Sequence, residues 1–103
     1  MTRLRVHPAA DREATAATTW YRERSEEAAS DFTRTLREDL QAIRQRPAAW
    51  PEWQRSAVRR KVLRRFPYSI FYLVEHDGLV IVAIAHHRRR PGYWKQRLRR
   101  GGG

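Results

Sequence analysis

The chain contains no cysteine, which excludes a disulfide framework, a thiol nucleophile and any cysteine-based metal site. A reducing compartment suits such a chain, and a cytoplasmic location is expected. Long apolar runs are missing as well. The longest, Leu79 to Ala85, is too short to span a bilayer, and the N-terminal MTRLRVHPAADREA has no apolar stretch of the kind that directs export. No membrane association is expected. The sequence also lacks a phosphate-cradling glycine loop, a metal-ligand cluster and a catalytic triad, so no cofactor and no metal are expected. At 103 residues it has room for one domain with one modest core. No repeat or long linker divides it. Residues 1–98 are expected to form that domain, and 99–103, ending in Gly101–Gly102–Gly103, a disordered tail.

Acidic residues are scarce in one half only. Residues 1–50 hold nine arginines against eight Asp and Glu, whereas residues 51–103 hold thirteen Arg and Lys against three acids. That half carries nearly all of the net charge of +11. Such asymmetry predicts a basic face that attracts nucleic acid, ribosome or an acidic protein. Lysine is scarce too, since twenty of the 22 basic residues are arginine. The planar guanidinium fork suits phosphate and carboxylate, although a GC-rich genome produces the same bias.

Periodicity supplies the fold class. Arg3–Leu4–Arg5–Val6–His7 alternates and reads as a short strand stopped by Pro8, itself well placed in the first turn of a helix. Ala10, Ala14, Ala17 and Tyr21, with Trp20 beside them, have helical spacing. Ser25 is a candidate N-cap followed by two glutamates in the first turn. The stripe Ala29, Phe32, Leu36, Leu40, Ile43 predicts a second amphipathic helix ending near Arg46, before Pro47. Pro47 to Gln54 is a loop whose two tryptophans are expected to fold back on the helices. Three strands follow: Val58 to Phe66, Tyr68 to Glu75, and Leu79 to His86, with a tight turn at His76–Asp77–Gly78. The last strand is apolar at almost every position, so it is expected to be central and covered on both faces. The class is α+β: a strand, a two-helix hairpin, then a three-stranded antiparallel meander.

That order, with RRFPYSIFY and then VIVAIAHHRRRPGYW, resembles the RelE/ParE superfamily of toxins from type II toxin–antitoxin systems. The likeness runs from Val6–His7–Pro8 through Trp20–Tyr21 and the Pro47 loop to the last strand. Its tightest parts are Arg65–Phe66–Pro67–Tyr68 and the His-x-x-Arg of His86 and Arg89. The resemblance implies a growth inhibitor, linked to plasmid stabilisation, held in a heteromeric complex by a cognate antitoxin. One branch of the superfamily, ParE-like, inhibits DNA gyrase and is not an enzyme. The other, RelE-like, cleaves messenger RNA on the ribosome without a metal. His86 and Arg89 resemble the ParE-like pattern. Arg65, Arg89 and Tyr93 fall near the sheet arginine, last-strand cation and C-terminal tyrosine of the nuclease branch. Before the arginine strand, where that branch often carries further Lys or Glu, this chain has only Arg59, Arg60 and Lys61, with Glu52 the sole nearby carboxylate. The gyrase reading is therefore preferred to the RNase reading. A general nucleic-acid-binding module, resting on charge alone, is the third.

Metal-free RNA cleavage needs a base for the 2′-hydroxyl, a donor to the leaving oxygen and cations for the phosphorane. In that reading His86 or His87 is the base, Tyr93 the donor or a stacking platform, and Arg65 with Arg89 the clamp. The simpler reading makes His86 a strand-end residue sharing a face with Val82 and Ile84. Adjacent histidines point to opposite faces of a strand, which argues against a metal site. Arg59, Arg60, Arg64, Arg88, Arg90 and Trp94 are the candidates for contact with target or antitoxin. Alternation would put Arg60 and Arg64 on one face, and Arg59 and Arg65 on the other. Trp94 also reads as an anchor of the core edge, and Trp20 as core.

Overall fold

The first strand stops where proline removes the backbone donor, and the first helix starts at the same residue. The structure, a computed structural model, describes residues 3–99; the expected Gly101–Gly103 tail lies outside them. It runs β1 (Arg3–Val6), α1 (Pro8–Arg22), α2 (Glu26–Gln45), β2 (Val58–Val62), β3 (Tyr68–Glu75), β4 (Gly78–His86) and a short α3 (Gln96–Arg99). Pro8 sits at the first turn of α1, and His7 caps it, with Nδ1 accepting from the Ala9 amide at 3.0 Å. Ser25 caps α2 as expected, its Oγ accepting from Ala28 N at 2.9 Å. Arg46, forced out of helical geometry by Pro47, closes that helix with φ −140°.

The sheet order is β1-β4-β3-β2, with β1 parallel to β4 and the other pairs antiparallel. Both helices cover one face. Ala10 and Ala17 of α1 and Phe32, Leu36 and Ile43 of α2 pack there against Ile70, Tyr72, Leu79, Ile81 and Ile84. The other face is covered by Trp53 from the loop and by Trp94 and Leu98 from the C-terminal segment, over Val58, Phe71, Val82, Ala83 and Ala85. This double cover explains why β4 has almost no polar residue. The two loop tryptophans part company: Trp50 joins the helix-side core, as expected, while Trp53 packs on the opposite face against Phe71 and Trp94.

The expectations for β2 and for Trp20 need correction. β2 ends at Val62, so Arg64 and Arg65 lie in the exposed β2–β3 turn instead of alternating along a strand, and Arg65 adopts φ +69°. Trp20 is not core: it is 49% exposed near the end of α1, with the Arg24 guanidinium 3.4 Å from its ring centre. The residues after Trp94 coil into α3. The hairpin turn is present as His76–Asp77, flanked by the pair Glu75 and Gly78. Gly78 serves there for another reason than a left-handed turn: a Cβ on it would collide with the Arg3 carbonyl of β1.

β4 carries a bulge. Phe71 pairs with Ala83 but the next residue, Tyr72, pairs with Ile81, leaving Val82 extra. Val82 and Ala83 therefore both join the second face, while Ile81 and Ile84 both join the helix face. His86 shares the helix side with Ile84, its ring edge-on to Tyr68, but not with Val82.

Candidate functional site

The bulge falls where β1 runs out. Val6 pairs with Ile81, and beyond that point the β4 edge has lost its neighbouring strand. Exposed backbone groups on such an edge must be satisfied some other way. Here side chains do it. Glu13 of α1 accepts from the Ile84 amide at 3.0 Å, and Arg97 of α3 donates to the Val82 carbonyl at 2.9 Å. The two side chains also bind each other through a two-pronged contact of 3.0 and 2.8 Å. Tyr93 completes the cluster by donating its hydroxyl to Glu13 Oε2 at 2.6 Å. Burial alone would raise the Glu13 pKa, but its bonds from Arg97, Tyr93 and Ile84 outweigh that and hold it below the usual carboxylate value. Burial and the adjacent Glu13 carboxylate push the Tyr93 phenol far above its ordinary value. Arg89 stacks on the Tyr93 ring, 3.7 Å from its centre.

A second polar cluster lies on the other face of the same strand end. Ser69 of β3 is buried, with 1% exposure, in a layer otherwise made of Phe71, Ala85 and Trp94. Its Oγ accepts from Arg60 Nε at 3.0 Å and lies 3.0 Å from His87 Nε2. These residues line a shallow cleft whose rim is formed by Arg89, Arg90 and Tyr93. Partial burial, then the positive charge of Arg60, lowers the His87 pKa from its ordinary value. The His87 amide donates to the Pro67 carbonyl at 2.8 Å, which brings the Arg64–Arg65 turn beside the Arg88–Arg90 turn. The two arginine clusters thus meet at one end of the sheet.

Of the five residues expected in the nuclease reading, His86, His87, Arg89 and Tyr93 line this cleft and Arg65 does not. Tyr93 has its hydroxyl proton committed to Glu13. His86 Nδ1 accepts from the Arg88 amide at 3.0 Å, a local turn bond. Among the contact candidates, Arg64, Arg88 and Arg90 are exposed and Arg60 is half-buried. Arg59 is tied to the loop, donating to the Trp50 carbonyl at 2.6 Å and facing Glu52 at 3.9 Å. Lys61 pairs with Asp39 at 3.1 Å and braces β2 against α2. Trp94, only 1% exposed, is a core anchor and meets no partner without local opening. Among the described residues there is no group of three or more side chains able to hold a metal, and no helix is long and apolar enough to cross a membrane.

Sequence reading missed Glu13, Ser69 and Arg97. A signal existed for the first: Glu13 stands three residues after Ala10 and four before Ala17, a carboxylate on an apolar stripe. Its partner Arg97, 84 residues away, carried no such mark.

A helical hairpin on one face of a mixed four-stranded sheet, with cations gathered at one sheet end, defines a small α+β class built around a basic surface. Residues 4–91 match the family described as "ParE toxin of type II toxin-antitoxin system, parDE", and the chain belongs to that family. Its fold is similar to that of a solved structure titled "Chromosomal ParDE TA system from P. aeruginosa", with a TM-score of 0.74 and 21% identity over 84% of this chain and 96% of the other. No curated protein matches the chain.

Proposed function

We propose that this toxin arrests growth by binding DNA gyrase in the bacterial cytoplasm, without cutting RNA, and that its cognate antitoxin neutralises it by covering the basic sheet end. The observation that carries this reading is the closure of Tyr93 on Glu13. A tyrosine whose proton is held by a carboxylate, and whose ring is covered by Arg89, is a poor donor to a leaving oxygen. With Arg65 outside the cleft as well, the RNase set is left with half of its clamp and without its acid. What remains exposed is a cationic surface suited to an acidic partner. Beside it runs a groove lined by Trp20, Tyr21, Pro67 and Tyr68, flanked by Arg88 and Arg89. That pairing of apolar groove and cations suits an amphipathic, acidic antitoxin segment.

The test is expression from a tight inducible promoter, following labelled thymidine and labelled methionine incorporation, with purified gyrase supercoiling as the direct assay. Thymidine incorporation is expected to stop first, and supercoiling to be inhibited by the purified chain. Early arrest of methionine incorporation, with gyrase unaffected, would overturn the proposal in favour of ribosomal messenger cleavage.

A further inference from the structure

Three half-buried cations, Arg59, Lys61 and Arg97, each face a carboxylate. Arg60 does not. Its single side-chain hydrogen bond among the described residues goes from Nε to Ser69, which orients the guanidinium over the Phe71 ring, 5.9 Å from its centre, and leaves both terminal amino groups without a hydrogen-bond acceptor. No carboxylate lines the cleft in which it stands, although Arg89 and Arg90 share it. Arg89 is balanced from outside the cleft by Glu13 at 4.0 Å, but Arg60 and Arg90 have no ion pair among the described residues, and gathering these cations around a recess has a self-repulsion cost that an anion removes. Ser69 at the cleft floor and the exposed His87 beside it add polar groups 3.0 Å apart. Because Ser69 Oγ already accepts from Arg60, its own proton is free for His87 Nε2 or for a ligand oxygen.

From this geometry we infer that the cleft is a binding site for a phosphoryl group, carried either by a free nucleotide or by a nucleic-acid backbone. The donors come from separate elements: Arg60 from β2, Ser69 from β3, and His87 and Arg90 from the turn after β4. A tetrahedral phosphate, with several oxygens and up to two charges, uses donors converging from different directions. A flat carboxylate is met by one guanidinium fork, as Glu13 is by Arg97. A bound phosphoryl group also favours a protonated His87, working against the burial and the Arg60 charge that lower its pKa, and so adds a donor. The inference is independent of which target the toxin has.

The experiment is a titration of the full chain at constant ionic strength, read by calorimetry and by amide NMR. The probes are inorganic phosphate, adenosine 5′-monophosphate, a short single-stranded oligonucleotide and a glutamate-rich peptide. Saturable phosphate binding is expected, with NMR shifts centred on Arg60, Ser69 and His87. Arg60→Gln should weaken it by about tenfold or more, and Arg90→Gln by roughly threefold. Arg3→Gln, on the far sheet edge, should change it by less than about twofold. Equal affinity for phosphate, mononucleotide and oligonucleotide would identify a small free ligand. Tighter oligonucleotide binding with the same Arg60 dependence would identify a nucleic-acid backbone. Equal losses in Arg60→Gln and Arg3→Gln would reduce the effect to non-specific attraction by a chain of charge +11 and overturn the inference. Stronger binding of the peptide than of phosphate at the same residues would overturn it too. Should Arg60→Gln fail to fold, Arg90→Gln in the exposed turn carries the same comparison against Arg3→Gln.

Discussion

Two polar clusters lie on opposite sides of the last turn of β4, and they differ in how their charge is balanced. On the α1 side, Glu13 meets Arg97, Tyr93 and the Ile84 amide, so each buried polar group has a partner. On the other side, Arg60, Ser69 and His87 meet one another beside Arg90, with no carboxylate in the cleft, while Arg89 on the shared rim reaches Glu13 at 4.0 Å. The first cluster repairs a defect, the strand edge left open where β1 ends. The second leaves positive charge exposed at a place where the backbone needs no repair. A compensated polar cluster in a small core is there to hold the chain together. An uncompensated one keeps its charge for something outside the chain.

The contrast is broken most severely by removing what lies beneath the second cluster. Trp94→Ala deletes the largest fully buried side chain and should cost about 3–5 kcal/mol. Urea unfolding is expected to show a much lower midpoint, because small domains have only about 5–15 kcal/mol to lose. Next comes Glu13→Ala, which strands the Arg97 guanidinium and the Ile84 amide and should cost about 3 kcal/mol. Thermal melting should show a fall of roughly 12 °C or more. A loss under about 1 kcal/mol in that variant would mean that water repairs the edge as well as Glu13 does.

The pH dependence separates the clusters. Glu13 has a folded pKa below its unfolded one, so its contribution is fully present above the unfolded value of about 4.3 and is lost as pH falls through the folded value. That loss should vanish from the melting profile of Glu13→Gln. His87, faced by Arg60, Ser69 and His86, is also lowered. The neutral ring is the stabilising form, so its contribution is complete above about 6.5 and declines as pH drops through the folded value. NMR titration of its ring should place the midpoint below the ordinary histidine value of about 6.5. The smallest effect is expected in the arginine-rich turn. Arg65 adopts φ +69°, so Arg65→Gly should stabilise the fold by about 0.5 kcal/mol, measured by urea unfolding.

Much of the architecture was legible because it rests on local signals. Pro8, Ser25 and Pro47 bound two helices by what their side chains do to the backbone, and the spacing of Ala29, Phe32, Leu36 and Ile43 marks the buried stripe of α2. The apolar run of β4 marked a strand covered on both sides. The family likeness, carried by Arg65 to Tyr68 and by His86 and Arg89, stands in the match over residues 4–91. The site was less legible. Arg64 and Arg65 were read as strand residues because nothing local shows where β2 ends. Tyr93 looked like an available hydroxyl because its partner is 80 residues earlier. Trp20 looked like core because helical spacing does not say how far along α1 the neighbouring elements reach.

By itself, then, the sequence determined which segments become helix or strand, which face of each is apolar, and that the second half is cationic. These follow from side-chain size, capping and charge, which act over a few residues. Only the tertiary structure decided that Val82 is a bulge, that Glu13 and Arg97 close the edge it leaves, and that Arg60 stands in a cleft without a carboxylate. Those outcomes depend on where β1 stops against β4 and on how the C-terminal segment crosses the sheet. Contacts between residues 70 or more positions apart leave no period in the sequence to read.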